Sequence, residues 1–187
     1  AESGELSEFS VIHIATHALI DDRLPEQSAL VLSLCDLPDQ LTAAINGERI
    51  YDGMITAGEV MREWRLNADL VALSACESGL GMRIAGEGYI GFSNAFLQAG
   101  ARSLVVSLWQ VQDRATSMLM QRFYENCYGR GGSDGPGSNK PMDKAQALRE
   151  AKIWLMNYVE EDGSRPFAHP YFWSAFVLMG DRGYLRD

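Results

Sequence analysis

Cysteine and histidine are scarce in this chain, with three of each among 187 residues. The cysteines, Cys35, Cys76 and Cys127, are odd in number and form no C-x-x-C pair, so the sequence indicates neither a disulfide framework nor a structural zinc site. Basic residues are outnumbered, with 16 Lys and Arg against 25 Asp and Glu. The net charge of −9 argues against direct nucleic-acid contact and favours basic or neutral partners.

Long apolar runs and targeting segments are missing as well. No apolar run reaches the length of a membrane span, and the first residues, AESGELSEF, lack the basic-then-apolar order of a signal peptide. We therefore expect no membrane contact and a reducing, cytoplasmic setting. The composition, 47% hydrophobic and 22% charged, suits one core, so residues 1–187 are expected to form a single domain.

Four apolar runs predict strands, and helical patterns lie between them. The runs are SVIHIATHA (10–18), ADLVALSAC (68–76), RSLVVSLWQV (102–111) and FWSAFVLMG (172–180). The helices are expected at 86–100, 113–127 and 143–161, the last with Leu148, Leu155 and Val159 on one apolar side. Runs that are apolar on both faces suit a mostly parallel sheet covered by helices on each side. The fold class is therefore α/β, and because four strands make a thin sheet for this many helices, we expect the chain to be part of a larger domain.

Two segments interrupt this alternation. Residues 30–56 predict a β-hairpin excursion with its loop at 36–48, since Asp52 and Gly53 are typical of a turn between short strands. Residues 129–141 are dense in Gly, Ser, Pro and Asn, which predicts a flexible surface loop.

Two chemically active side chains fall at the ends of predicted strands. His17 closes the first run and Cys76 closes the second. The carboxyl ends of parallel strands meet at one edge of a sheet, so neighbouring strands would bring His17 and Cys76 together. An imidazole beside a thiol takes its proton, and the thiolate then attacks a carbonyl carbon. The residues therefore predict a cysteine nucleophile with a histidine partner.

Four motifs follow one another along the chain, from about Val11 to Gly180. They are HIATHA, LVALSACESGLG, GEGYIGFSNAFLQAGARSLVVSLWQVQDRATSMLMQRFY and HPYFWSAFVLMG. In this order they resemble the CHAT domain, a caspase-like group of cysteine peptidases within the set that contains caspases, separases and gingipains. The resemblance implies a caspase-like three-layer α/β/α sandwich, with the catalytic histidine at His17 and the nucleophile at Cys76. It also implies a pair of strands N-terminal to residue 1, so that residues 1–187 would be the C-terminal, catalytic part of the domain.

The resemblance also implies which groups receive the oxyanion. In the wider group these are the backbone N–H that follows the catalytic histidine and the N–H of the cysteine itself. In this chain they belong to Ala18 and Cys76. The family usually has glycine where this chain has Ala18, and alanine still supplies an N–H.

Asp113, within SLWQVQDRAT, follows the third predicted strand on the same predicted edge. A carboxylate there would pair with an arginine or lysine before the scissile bond, and the resemblance implies an acidic residue in this region for that purpose. Trp109 and Gln110 would line the same groove. An N-cap role for a helix over 114–127 explains Asp113 nearly as well, so both interpretations stay open.

The remaining cysteines and histidines have simpler interpretations. Cys35 and Cys127 are assigned structural roles, because most cysteines in apolar segments are inert. His13 lies inside the first predicted strand and is interpreted as an interior histidine with its hydrogen bonds satisfied. His169 precedes a proline and is expected in a loop, where a structural hydrogen bond would use it.

The segment GEGYIG imitates a dinucleotide-binding fingerprint, since Gly86, Gly88 and Gly91 spell G-x-G-x-x-G. The fingerprint requires these glycines directly after the strand, and here about ten residues intervene. We therefore expect no nucleotide and interpret the glycines as positions where a helix packs closely on the sheet.

These features together predict a cysteine endopeptidase that cleaves a protein or peptide substrate after a basic residue, with no metal and no cofactor. The resemblance implies regulation by a fused helical-repeat region or an activating protein partner, in bacterial defence or regulated cell death. The alternative is a catalytically inactive caspase-like module that binds a partner protein. Selective alkylation of Cys76 distinguishes the two, because a catalytic thiolate reacts and a buried thiol does not.

Overall fold

The structure of the protein is a computed structural model that describes residues 5–21, 23–35, 39–48, 50–74, 76–77, 87–130 and 140–186. Most of the Gly-rich segment predicted as a loop at 129–141 lies outside these residues. The strands are β1 (Val11–Ile14), β2 (His17–Leu19), β3 (Ala29–Val31), β4 (Met54–Thr56), β5 (Leu70–Leu73), β6 (Cys76–Glu77), β7 (Ser103–Ser107) and β8 (Phe176–Gly180). The helices are α1 (Gln40–Asn46), α2 (Ala57–Glu63), α3 (Glu87–Ala99), α4 (Asp113–Cys127) and α5 (Lys144–Met156).

The central sheet has the strand order β1-β5-β7-β8. Strands β1, β5 and β7 are parallel, and β8 runs antiparallel to β7. The predicted α/β fold with a mostly parallel sheet is therefore confirmed. The fourth strand, expected over 172–180, begins only at Phe176, because Pro170 starts a 3-10 turn in the residues before it.

Side chains of β5 alternate between two apolar cores. Val71 and Leu73 pack with α2 and α3 on one face of the sheet, whereas Leu70 and Ala72 pack with α4 and α5 on the other. Helices thus cover both faces, which confirms the three-layer α/β/α sandwich.

The first two predicted strands each break near their ends, which corrects their assignment as single strands. β1 ends at Ile14 and the chain resumes as β2, while β5 ends at Leu73 and resumes as β6. The second halves belong to another sheet, of order β4-β3-β2-β6. The Thr16 hydroxyl, at the first break, donates a hydrogen bond to the Val31 carbonyl of β3. An uninterrupted apolar run gives no sign of a change of sheet, because both of its halves have the residue pattern of a strand.

The excursion contains the predicted antiparallel pairing, between β3 and β4. The segment 36–48, expected as a loop, includes helix α1, because the Asp39 carboxylate caps it by accepting from the Thr42 N–H at 3.0 Å. Asp52 and Gly53 do not form the turn between two strands. They precede β4, and Gly53 has a φ of 76°.

Helices α3 and α4 match their predicted ranges closely. Helix α5 starts as predicted, with the Asp143 carboxylate accepting from the Gln146 N–H at 2.8 Å. It ends at Met156, earlier than predicted, because Asn157 leaves the helical conformation. Val159, expected on the apolar side of this helix, is exposed as a result.

Helix α2 was not predicted, although its start carries a sequence signal. The Thr56 hydroxyl accepts from the Glu59 N–H at 3.1 Å, and a Glu59 carboxylate oxygen accepts from the Thr56 N–H at 2.8 Å. This reciprocal capping box corresponds to the pattern T-x-x-E.

A buried lysine joins α5 to the central sheet. Lys144 has no exposed surface, and its Nζ donates to the Asp69 carbonyl at 3.1 Å and to Asp181 Oδ2 at 3.2 Å. The Asp69 carboxylate accepts from the Arg186 backbone N–H and Nε, at 2.8 and 3.0 Å. These bonds tie the start of α5, the residue before β5 and the C-terminal segment into one polar cluster.

Candidate active site

The breaks in the first two runs bring a histidine and a cysteine into register. Strands β2 and β6 pair in parallel, with His17 opposite Cys76 and Ala18 opposite Glu77. Neighbouring strands lie about 4.8 Å apart, and register partners share one face of a sheet. His17 and Cys76 therefore occupy adjacent positions, each as the first residue of a short strand that follows a strand of the central sheet.

The His17 side chain is exposed, and no hydrogen bond joins its ring to the described part of the chain. Ala18, the next residue along β2, is buried. The alternation exposed–buried–exposed along β2 puts His17 on the open face of the second sheet. Its imidazole is thus accessible to solvent and to a substrate.

The backbone N–H of Ala18 points toward β6. The Leu32 N–H donates to the Gly53 carbonyl at 2.6 Å, so Leu32 faces β4. Backbone groups of every second residue point to the same side of an antiparallel strand, and the N–H and C=O of Leu30 therefore face β4 as well. Because Ala18 is the register partner of Leu30, its own N–H and C=O face away from β3. They face the strand that begins with Cys76.

A second histidine holds the chain just before Cys76. His13 Nε2 lies 2.9 Å from Ser74 Oγ, and His13 Nδ1 lies 3.2 Å from Tyr124 Oη. A neutral imidazole donates through one nitrogen and accepts through the other, so it satisfies both hydroxyls without an added proton. Desolvation lowers the pKa of His13 below its ordinary value, which favours this neutral form. His13 does have its hydrogen bonds satisfied, but it is exposed rather than interior, because no strand among the described residues pairs with the outer side of β1.

The segment after β7 is held against the Pro170–Phe172 turn. Trp109 Nε1 donates to the Tyr171 carbonyl at 3.0 Å, and the two rings stack with centroids 6.5 Å apart. The Tyr171 hydroxyl donates to the Gln110 carbonyl. Trp109 is half-buried and the Gln110 side chain is exposed. His169 caps the same turn by accepting from the Tyr171 N–H at 3.2 Å, which is a structural hydrogen bond of the predicted kind.

Asp113 does not cap α4, so that interpretation was wrong. The N-cap is Gln112, no side-chain hydrogen bond closes the helix start, and Asp113 is the first helical residue. Its carboxylate is exposed and has no hydrogen bond or ion pair with the described residues. A carboxylate in the first helical turn is favoured by the helix dipole, and this one remains available to an external cation.

The two remaining cysteines have opposite environments. Cys127 is buried at the end of α4, and burial raises the pKa of its thiol to about 12. Cys35 is exposed. The structural role assigned to both therefore fits Cys127, whereas Cys35 is open to reagents.

The glycine motif lies largely within α3 rather than directly after a strand. Gly88 and Gly91 are helical residues, and Gly86 falls outside the described residues. A Cβ at Gly91 would lie 2.8 Å from the Pro25 carbonyl oxygen. The close approach at Gly91 is therefore to the Pro25–Gln27 turn, not to the sheet as predicted.

The described residues contain neither a candidate metal cluster nor a candidate membrane-spanning helix. No group of three or more His, Cys, Asp or Glu that could hold a metal ion occurs in the described part of the chain. Within residues 5–186, apart from the undescribed gaps, no helix has the length and apolarity needed to cross a membrane.

A mostly parallel sheet between two helical layers, with a second sheet at its carboxyl edge, defines a caspase-like α/β domain. The CHAT domain family model matches residues 2–181. The chain belongs to that family, a caspase-like family of cysteine peptidases.

Two curated relatives are much longer than this chain. Tetratricopeptide repeat protein 28 of Mus musculus is 30% identical over 127 residues, which cover 68% of this chain and 4% of that protein. Tetratricopeptide repeat protein 28 of Homo sapiens is 30% identical over 143 residues, which cover 73% of this chain and 5% of that protein. The chain thus corresponds to a small part of each relative.

Proposed function

We propose that this chain is a cysteine endopeptidase in which Cys76 is the nucleophile and His17 transfers the proton. One observation carries the proposal: His17 and Cys76 are register partners on adjacent parallel strands. Membership in a caspase-like peptidase family supports the same two residues. The cytoplasmic setting predicted from the sequence would keep the thiol reduced.

The proposed reaction has two steps. His17 accepts the Cys76 thiol proton, and the thiolate forms a bond to the carbonyl carbon of the scissile peptide. The C–N bond then breaks, and the leaving amine takes its proton from the His17 imidazolium. In the second step water, deprotonated by His17, attacks the thioester, releasing the acid and restoring the thiol. The exposed ring of His17 suits this role, since no described residue engages it.

The N–H groups of Ala18 and Cys76 are the proposed oxyanion donors. In the β2–β6 ladder the Ala18 N–H is directed at the Cys76 carbonyl, so this short strand pairing would have to open before Ala18 could donate to an oxyanion. Two donors on neighbouring strands would converge on an oxygen that carries the developing negative charge. The family usually has glycine at this position. Alanine adds a methyl group, which is buried here, and keeps the backbone N–H.

Asp113 is the proposed partner of a basic side chain before the scissile bond. Its carboxylate is exposed and uncommitted among the described residues, so an arginine or lysine has no internal competitor for it. Trp109 and Gln110 are the proposed walls of the groove, and their bonds to Tyr171 would hold them rigid. Rigid walls reduce the entropy lost when a substrate is bound.

The proposed regulator is a helical-repeat region, fused or bound. Both curated relatives carry tetratricopeptide repeat in their names and are far longer than this chain, which supports a repeat-containing context. The role in bacterial defence or cell death stays a prediction.

Thiol reactivity tests the proposed nucleophile. Because Cys35 is exposed, the experiment uses Cys35→Ser as its background, where Cys127 is shielded and its pKa is raised to about 12. We expect iodoacetamide to label Cys76 in the native chain at neutral pH, with an apparent pKa below the ordinary value of about 8.5. The matched control, Cys35→Ser with Cys76→Ala, should take up no label before denaturation.

The same experiment addresses the alternative of a catalytically inactive binding module. It is run on the chain alone and on the chain with a tetratricopeptide-repeat partner, because a resting enzyme keeps its thiol misplaced until activated. Labelling of Cys76 in neither state would overturn the proposed peptidase and favour the binding module.

A further inference from the structure

A cavity of about 520 Å³ lies on the side of the sheet opposite α2 and α3, between α5 and β8. Its apolar wall includes Leu148 and Ile153 of α5 and the Trp173 indole. Its charged groups are Arg149, Lys152 and Arg182, and none of the carboxylates that the structure describes lines it. A purely cationic cavity is unexpected in a chain with a net charge of −9.

Two of these cations have no partner within the described residues. The Arg149 guanidinium pairs with Glu150. Lys152 and Arg182 form no ion pair or hydrogen bond there, and burial lowers the pKa of Lys152. Of the neighbouring carboxylates along the chain, Glu150 pairs with Arg149, and Asp181 is engaged by Lys144 and by the Gly183 N–H, each at 3.2 Å. The cavity therefore presents positive charge that the described chain leaves uncompensated.

The same cavity opens onto an unpaired strand edge. β8 is the last strand of the central sheet, and within the described residues no strand pairs with its outer side. Leu108 donates to the Ala175 carbonyl and Asp181 to the Arg102 carbonyl, both at 2.9 Å.

These two bonds fix which groups of β8 face outward. In an antiparallel ladder, every second residue exchanges hydrogen bonds with the partner strand, so Val177 and Met179 face β7. The backbone N–H and C=O of Leu178 and Gly180 therefore point away from the sheet. Both residues line the cavity, and no hydrogen bond in the described part of the chain takes up these groups.

We infer that the outer edge of β8 binds an extended acidic peptide segment of a partner protein, which adds a strand beside Leu178 and Gly180 and places its carboxylates on Lys152 and Arg182. Main-chain hydrogen bonds would supply affinity, as in other strand-addition complexes, and the cations would supply selectivity. Apolar side chains on the alternate positions of the peptide would contact Trp173 and Leu148. This site is separate from the proposed catalytic positions on β2 and β6.

A binding titration with designed peptides tests the inference. The probe is a short fluorescent peptide that alternates glutamate with valine, and its matched control carries lysine in place of glutamate. We expect saturable binding of the glutamate peptide alone. The double charge reversal Lys152→Glu with Arg182→Glu should weaken binding by about tenfold or more. Arg65→Glu, an exposed charge reversal just after α2 on the other side of the sheet, should leave binding unchanged.

The strand-addition geometry has its own readout. N-methylation of the peptide at every second residue removes donors from one edge and keeps all side chains, so methylation of the pairing edge should abolish binding. Amide exchange at Leu178 and Gly180 should slow when the unmethylated peptide binds. Equal binding of the glutamate and lysine peptides, or binding that ignores both the charge reversal and N-methylation, would overturn the inference. Concentration-dependent dimerisation through β8 that excludes the peptide would overturn it in favour of a second copy of this chain.

Discussion

His17 and Cys76 face each other across two parallel strands, as the first residues of β2 and β6. Each of these strands follows a strand of the central sheet, β1 and β5, which are themselves parallel neighbours. The pairing of the larger sheet thus sets the pairing of the smaller one. In the proposed mechanism this relationship puts the histidine and the cysteine at adjacent backbone positions.

Removal of the His17 imidazole should change the pH dependence of Cys76 alkylation. In the Cys35→Ser background, His17→Gln is expected to slow labelling at neutral pH and to move the apparent thiol pKa up toward about 8.5, because the imidazolium no longer stabilises the thiolate. The measurement is the alkylation rate between mildly acidic and alkaline pH. His169→Gln is the control, since that ring caps the Pro170–Phe172 turn. An unchanged profile in His17→Gln would remove His17 from the proposed dyad.

Asp113→Asn should alter substrate preference without altering the chemistry. For peptides with arginine or lysine before the scissile bond, kcat/KM is expected to fall by about tenfold or more, because a charge-assisted pair becomes a neutral contact. Peptides with a neutral residue there should be cleaved as before. Glu161→Gln, another exposed carboxylate, serves as the control. Cysteine-dependent cleavage after other residues that Asp113→Asn does not affect would agree with Cys76 as the nucleophile. It would contradict the proposed role of Asp113 in binding a basic side chain.

The cluster of His13, Ser74 and Tyr124 should make the free energy of unfolding depend on pH between neutrality and mild acid. Because burial lowers the pKa of folded His13, the unfolded chain binds its proton first, so the free energy of unfolding should fall as the pH drops below about 6.5. His13→Gln should flatten this dependence in chemical denaturation at pH 7.5 and 5.5. His169→Gln is the control.

The same cluster is expected to position the chain before Cys76, through Ser74. Ser74→Ala removes the hydroxyl that lies 2.9 Å from His13 Nε2. In the Cys35→Ser background it should slow Cys76 alkylation while leaving the apparent thiol pKa unchanged, which separates positioning from proton transfer. Labelling at the unaltered rate would show that this hydrogen bond has no bearing on Cys76.

Replacement of the buried lysine should destabilise the fold. Lys144→Met keeps the aliphatic stem but removes the hydrogen bonds to the Asp69 carbonyl, which still accepts from the Ser103 hydroxyl, and to Asp181. The expected cost is about 1–2 kcal/mol in the free energy of unfolding. Lys140→Met, at an exposed position, should cost less than about 0.5 kcal/mol. Wild-type stability of Lys144→Met would mean that the desolvation of the ammonium group offsets its hydrogen bonds.

Alanine substitutions at two glycines with positive φ distinguish the cost of backbone strain from the cost of steric overlap. Gly100 has a φ of 115°, and a Cβ there would lie 2.1 Å from the Leu66 carbonyl oxygen. Gly163 has a φ of 83° with nothing within 4 Å of the added atom. Gly163→Ala should therefore cost about 1 kcal/mol, and Gly100→Ala considerably more, as measured by chemical denaturation. Equal losses would show that the connection after α3 moves away from Leu66 at little cost.

Local features of the fold follow directly from the sequence. The capping carboxylate of Asp143 marks the start of α5, and Gly100 marks the end of α3. The apolar runs predict β5 and β7, with their side chains divided between two cores. Such signals depend on residues within one or two turns of each other, so they can be read along the chain.

Tertiary structure alone decided how these pieces pair. The runs that end in His17 and Cys76 look continuous in the sequence, yet each divides between two sheets, and their register depends on contacts between segments that are 59 residues apart. Likewise, the backbone N–H and C=O of Leu178 form an open edge only because, in the part of the chain that the structure describes, β8 pairs with a strand on one side alone. Strand order and register arise from the simultaneous packing of distant segments, and a periodic pattern within one segment does not contain that information.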